Sequence, residues 1–453
     1  MGSIRAMLRL GAALAAFVPA AAMAQTPREA ELEARLKQLE AAVGDLRAEL
    51  EGYRAANAAA SAPAALPAEP VAVAAPAAEA KGFRSGASSI NIGGYVKTVA
   101  SFSRWGDGVV ASNSLGRDFY LPSAIPVGGE AESTDSDFSA KQTRLWLNIG
   151  TDVAGHVLKG YVETDFQTSP GAQGNERVSN GYTLALRRAF VQFDKLTIGQ
   201  DWTTFQNVAV LPESTDYVGP TEGTVFARQP LVRLSLPLGK GLVLHASAEN
   251  AETASSTLGS PALVENDDDR LPDFAARLVA SGGWGEASLA GIVRQLSVEN
   301  GAQSGQAAGW GFSGAGKLLF GGGKQHDLRL MATYGSGIGR YVGLNFAADA
   351  LTDPATGRLS TPEIFAGLAA VKISLAPGLR TTLMGSYLNV AYEDGLAGIS
   401  GFNKRAWSVA GNLFYSPVKA LDLGVELRHG ERRLVDGASG TLDRLEFAAK
   451  YSF

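Results

Sequence analysis

The chain has 453 residues, 54 of them glycine and none cysteine, with 19% charged residues and a formal net charge of −5. The lack of cysteine excludes a disulfide scaffold and a thiolate metal site, and the negative balance argues against a nucleic-acid partner. No interior run of 18 apolar residues occurs, which excludes an ordinary transmembrane helix. The four histidines, His156, His245, His326 and His429, are far apart in sequence, so neither a zinc site nor a cofactor is expected.

In chain order, residues 1–24 come first. Arg5 and Arg9 form a basic start, Leu10 to Val18 a short apolar core, and Ala22-Met23-Ala24 a small-residue cleavage site. This is the pattern of a bacterial export signal. Its removal takes away two arginines, so the mature charge is −7 (−5 minus 2). In residues 28–54, Leu32, Leu36, Leu39, Val43, Leu46, Leu50 and Tyr53 repeat with heptad spacing and charged residues between. That predicts an oligomeric coiled coil. Residues 55–89 open on an Ala/Pro-rich linker with no core of its own.

From Ile90 to Phe453 the period is two, the strand period. Sixteen strands are expected, at 90–104, 138–151, 155–166, 182–193, 195–202, 227–237, 241–251, 272–281, 285–296, 309–320, 326–336, 363–375, 379–392, 404–416, 420–432 and 442–453. Their connections alternate between tight turns and eight long loops, 105–137, 167–181, 203–226, 252–271, 297–308, 337–362, 393–403 and 433–441. A sandwich has no reason to sort loops by length in this way. An antiparallel transmembrane β-barrel does, with short turns on the periplasmic side and long loops outside, and sixteen strands leave room for an aqueous channel.

The terminal "LEFAAKYSF" fits this reading. Leu445, Phe447, Tyr451 and Phe453 share one face; the first three would meet hydrocarbon or its rim and Phe453 would sit at the periplasmic interface. Outer-membrane proteins commonly end on such a strand, which the barrel-assembly machinery recognises.

Alternation also assigns the lumen. Arg144, Arg188, Arg233, Arg277, Arg294 and Arg329 are predicted to point inward, with Lys97, Lys159, Lys317, Lys372, Arg428, Arg444 and Lys450. Arg188 is preferred over Arg187 on weak alternation, because both parities carry apolar residues there. Fewer acids point inward, among them Glu163, Asp165, Asp201, Asp422, Glu426 and Glu446. A basic lumen inside an acidic chain predicts an anion-preferring pore. The third long loop, 203–226, is expected to fold inward as a constriction carrying Glu213, Asp216 and Glu222.

Two other segments read as bland. "ENDDDR" at 265–270 does not match an EF-hand and reads as a solvated acidic outer loop near lipopolysaccharide. "YGSGIGRYVG" at 334–343 is not a phosphate loop and reads as a flexible strand exit with Arg340 at the pore mouth. No Ser/His/Asp set with supporting context occurs, so no enzyme is expected.

The segments "INIGGYVKTVASFSRWGD", "KGYVETDF", "LRRAFVQFDKLTIGQDWTTF", "RQPLVRLSLP" and "LPDFAARL", with the heptad helix and the terminal Phe, resemble the DcaP-like family of trimeric outer-membrane porins. The resemblance covers nearly the whole mature chain. It implies a sixteen-stranded barrel, three copies per assembly, a periplasmic coiled coil, and uptake of small anionic solutes such as dicarboxylates.

Overall fold

The structure, a computed structural model, describes residues 82–129, 131–167, 180–300 and 303–453. The export signal, the 28–54 coiled coil and the linker as far as residue 81 lie outside the described residues.

Every strand expected from the sequence is present. The wall runs β1 Ser88–Trp105, β2 Ser133–Ser139 continued by Arg144–Val153, β3 His156–Asp165, β4 Ala185–Phe193, β5 Leu196–Trp202, β6 Arg228–Gly239, β7 Leu242–Glu249 and β8 Asp273–Gly282. It goes on with β9 Gly285–Asn300, β10 Gln303–Phe320, β11 His326–Ser336, β12 Glu363–Ala376, β13 Leu379–Ala391, β14 Asn403–Val418, β15 Leu421–Leu434 and β16 Ser439–Ser452. Each strand pairs antiparallel with the next, and β16 closes on β1 from Leu442↔Trp105 to Ser452↔Tyr95. Closure leaves no unpaired edge, which a bilayer requires.

Strand bounds differ from expectation in several places: the second strand begins at Ser133, inside the expected loop 105–137, and the loops at 252–271 and 337–362 hold short strands of their own. Phe83–Ser85 pairs with the start of β1, so the last part of the segment assigned to the linker is sheet. The loops expected at 297–308 and 433–441 are instead hairpins: β9 and β10 pair out to Asn300↔Gln303, and β15 and β16 to Arg433↔Ser439. Alternation weakens where a strand leaves the membrane, so the sequence reads these extensions as loop.

The outer wall carries large exposed apolar side chains, such as Leu289 at 71% and Phe312 at 65% exposure. In water this would be an adhesive surface; in lipid it is the stable arrangement. Aromatic residues mark both rims, with Trp310, Tyr334, Tyr387 and Trp407 towards the long loops and Tyr415, Tyr451 and Phe453 towards the turns.

The interior is not polar throughout. Loop 3 (between β5 and β6) and loop 6 (between β11 and β12) both enter the barrel. Phe205, Val210 and Val225 of loop 3 and Ile338, Tyr341, Val342 and Phe346 of loop 6 form one core with inward Ile292, Met331, Ile364, Leu368, Leu388 and Val390. Each buried side chain of this size contributes about 1.5–3 kcal/mol, enough to hold the loops in place. A β-bridge, Val225↔Val342, joins the two loops. Loop 1 (between β1 and β2) enters as well, with Val110, Tyr120 and Ile125 packed on Trp105 and Leu442. Over the mouth, Ala254–Thr257 of loop 4 pairs in parallel with Ala350–Thr352 of loop 6 in a separate four-stranded sheet.

Candidate functional site

Loop 3 runs around the inside of the wall. The Leu211 carbonyl accepts from Arg329 on β11. Arg380 on β13 grips the Glu213 carboxylate at 2.5 and 2.7 Å. Ser214 donates to Glu426 on β15 at 2.7 Å, and the Thr215 carbonyl accepts from Lys97 on β1 at 2.6 Å. The Tyr217 hydroxyl then reaches Asp165 on β3 at 3.1 Å. With Asn412 of β14 on the Glu213 carbonyl and Arg187 of β4 on Tyr217, a segment of seven residues, 211–217, touches seven wall strands. The loop returns beside β12, where Gly223 has only backbone for a neighbour: a Cβ there would lie 2.3 Å from Gly367.

The three loop carboxylates face the wall or the loop's own backbone. Glu213 is taken by Arg380. Asp216 accepts the backbone N–H groups of Tyr120, Val218 and Gly219 at 2.7–2.9 Å. Glu222 is buried, accepting from Tyr120 Oη at 2.5 Å, from Ser408 at 2.9 Å and from Ser386. Burial raises its carboxyl above the ordinary value, against lowering by Ser386, Tyr120 and Arg428. The expected constriction loop is therefore inside the barrel, but its acids are consumed in anchoring it.

The six predicted arginines divide by environment. Arg144, Arg188 and Arg233 are inward and partly exposed. Arg144 lies 3.2 Å from Asp165, Arg188 lies 2.5 Å from Asp201, and Arg233 contacts the same Asp201. Arg277 is inward, with a covered Nε that has no partner. Arg329 shares Asp327 with Lys372 while holding loop 3. Arg294 is different: it is fully buried between Asp273 at 2.9 Å and Asp349 at 2.8 Å, and donates to the carbonyls of Gly337 and Glu252. It fastens loops 4 and 6 to the wall and is not a lumen cation.

Arg187 corrects the parity of β4. A bulge at Glu163/Thr164 shifts the register, so Arg187 and Arg188 both point inward. Arg187 is the deeper, bonded to Glu163 and Asp165 at 2.7 Å each and to Tyr217. The apolar residues on both parities were the sequence signal of this bulge. Arg228, over the Trp202 ring at 5.1 Å, and Arg380 were missed because each sits at a strand end. Arg340 belongs to the loop core, donating to the Asn250 carbonyl. Of the "ENDDDR" acids, Asp269 accepts from Thr253 and the Ser297 N–H and Asp268 from the Glu299 N–H, while Glu265 and Asp267 are exposed. Among the described residues no group of three or more His, Asp or Glu is placed to hold a metal ion.

The sequence matches the family described as the porin subfamily over residues 86–441. The chain belongs to this porin family. The outer membrane channel DcaP of Acinetobacter baumannii superposes with a TM-score of 0.66 at 26% identity, over 82% of this chain and 99% of that one. The anion-selective porin from Comamonas acidovorans (TM-score 0.51, 12% identity, 81% and 100% coverage) and OmpT of Vibrio cholerae (0.51, 12%, 83% and 100%) share the fold alone. No curated protein sequence matches. This porin is DcaP-like, and its wall is that of an outer-membrane barrel.

Proposed function

We propose that this porin is a passive diffusion channel that prefers small anions such as dicarboxylates. One observation carries the reading: inward carboxylates are shared between cations. Asp201 lies between Arg188 and Arg233, and Asp327 between Arg329 and Lys372, so each group keeps a net positive charge. The Arg277 guanidinium, whose Nε has no hydrogen bond, adds to this, and Glu213 of loop 3 is neutralised by Arg380. In a narrow lumen with low-dielectric walls such charge selects the sign of what permeates. In this reading the apolar filling over β8–β14 turns the solute path towards the basic wall of β2–β6.

In the same reading the barrel works as a homotrimer with the 28–54 helix as a periplasmic coiled coil. The test is the reversal potential of purified protein in a planar bilayer under a KCl gradient. Anion-selective steps closing in threes support it; cation selectivity overturns the solute class. A second reading is a closed envelope anchor, favoured by the three loops that enter the barrel. Absence of conductance would put it first.

A further inference from the structure

One feature of the outer wall is not used by conduction. From β11 through β16 and onto β1 and β2 the lipid-facing surface holds a groove of 1210 Å³, and its part over β12 to β15 is apolar. Its floor is made by the small residues Ala369, Gly385 and Gly411, and its sides by Leu383, Val409 and Leu427. The groove climbs to the long-loop rim, where it meets His429. Beyond that, Arg405 on β14 and Arg433 on β15 stand directly opposite one another in the ladder. Like charges in that position repel. They share a single carboxylate, Glu431, at 3.7 and 3.5 Å, too long for a hydrogen bond. The Nε of each arginine and the Glu431 Oε1 are covered and make no hydrogen bond. The Trp407 indole, which donates to Glu431 at 3.3 Å, marks this height as the membrane interface.

We propose that this face binds a phosphorylated, multi-chain lipid of the outer leaflet, with acyl chains in the groove and a phosphate between Arg405 and Arg433. Two guanidiniums against one carboxylate leave one positive charge and free donors, which suit a phosphate dianion. Arg405 lies four residues beyond Val409, about 13 Å at the strand rise, a span that places a headgroup above its own chains. This is the chemistry of the lipid A part of lipopolysaccharide. The proposal rests on the outer-membrane placement and not on the anion preference.

The experiment uses the delipidated full-length protein and native mass spectrometry. The probes are lipid A with both phosphates, lipid A with none, and phosphatidylglycerol. The phosphorylated lipid A should bind best, and the R405Q/R433Q double variant should bind it about tenfold more weakly. Gly411→Phe, which fills the groove, should weaken binding of both lipid A forms. Equal binding of the three probes, or no effect of either variant, overturns the proposal. If Gly411→Phe instead dissociates an oligomer and leaves lipid binding intact, the face is an interface between copies and the proposal fails. The reversal potential of R405Q/R433Q should equal that of the wild type, which keeps this test separate from the one for anion preference.

Discussion

Arg294 and Arg144 carry the same residue type at the same inward parity, yet one is a fastening and the other lines the lumen. The difference is set by Asp349, a loop residue that reaches back to Arg294 at 2.8 Å. Arg294→Met leaves Asp273 and Asp349 buried without their cation, a loss of about 3–5 kcal/mol. The expected outcome is a lowered thermal midpoint and protease cleavage within 337–362, with ion selectivity unchanged; a selectivity change at full stability would return Arg294 to the lumen. Inward parity was legible in the sequence, because side chains alternate without exception between bulges. The loop partners were not, because Glu252, Gly337 and Asp349 lie more than forty residues from Arg294 in the chain. Glu222 gives a second test. Its carboxyl is raised by burial, so its contribution to stability is fully present below the ordinary glutamate value and is lost as pH rises through the raised one. Thermal midpoints of wild type measured from about pH 4 to about pH 7 should fall relative to those of Glu222→Gln, which lacks the charge. Parallel curves would mean that this junction does not titrate.

At the scale of elements, the strands were readable and the contacts of the loops were not. A period of two survives over seven or more residues of wall, whereas loop 3 is held by single side chains spread over seven strands. That loop 3 enters the barrel follows from Leu211, Glu213, Thr215 and Tyr217 finding partners on β11, β13, β1 and β3. None of these pairings leaves a local pattern. The close approach at Gly223 is the weakest point of the ring. Gly223→Ala places a methyl against the Gly367 backbone, where nothing can rotate away. The loop should lift from β12, with frequent conductance flicker in single-channel records. A variant as quiet as the wild type would show that the ring tolerates this displacement. The apolar residues inside β8–β14 also escaped the sequence reading, because alternation assigns a face and says nothing of what covers it.

For the whole molecule, selectivity is a matter of net charge along the path, and Asp201 is where the sign can be turned. It sits between Arg188 and Arg233, so the group of three carries +1 (two cations minus one carboxylate). Replacing both arginines by glutamine leaves −1, and Asp201→Asn leaves +2. For an ion passing at about 5 Å in aqueous surroundings, a change of two unit charges is worth roughly 1.5 kcal/mol, or about tenfold in permeability ratio. Salt screens this over a Debye length of about 10 Å at 0.1 M, so the effect should shrink in concentrated KCl. The arginine pair variant is expected to shift towards cations and Asp201→Asn further towards anions, with the two shifts opposite in sign. Charge balance makes that opposition necessary if this wall borders the conducting path. Shifts of the same sign, or none in dilute salt, would place the path elsewhere in the barrel, since pairing alone cannot reverse selectivity at a wall the ions never approach.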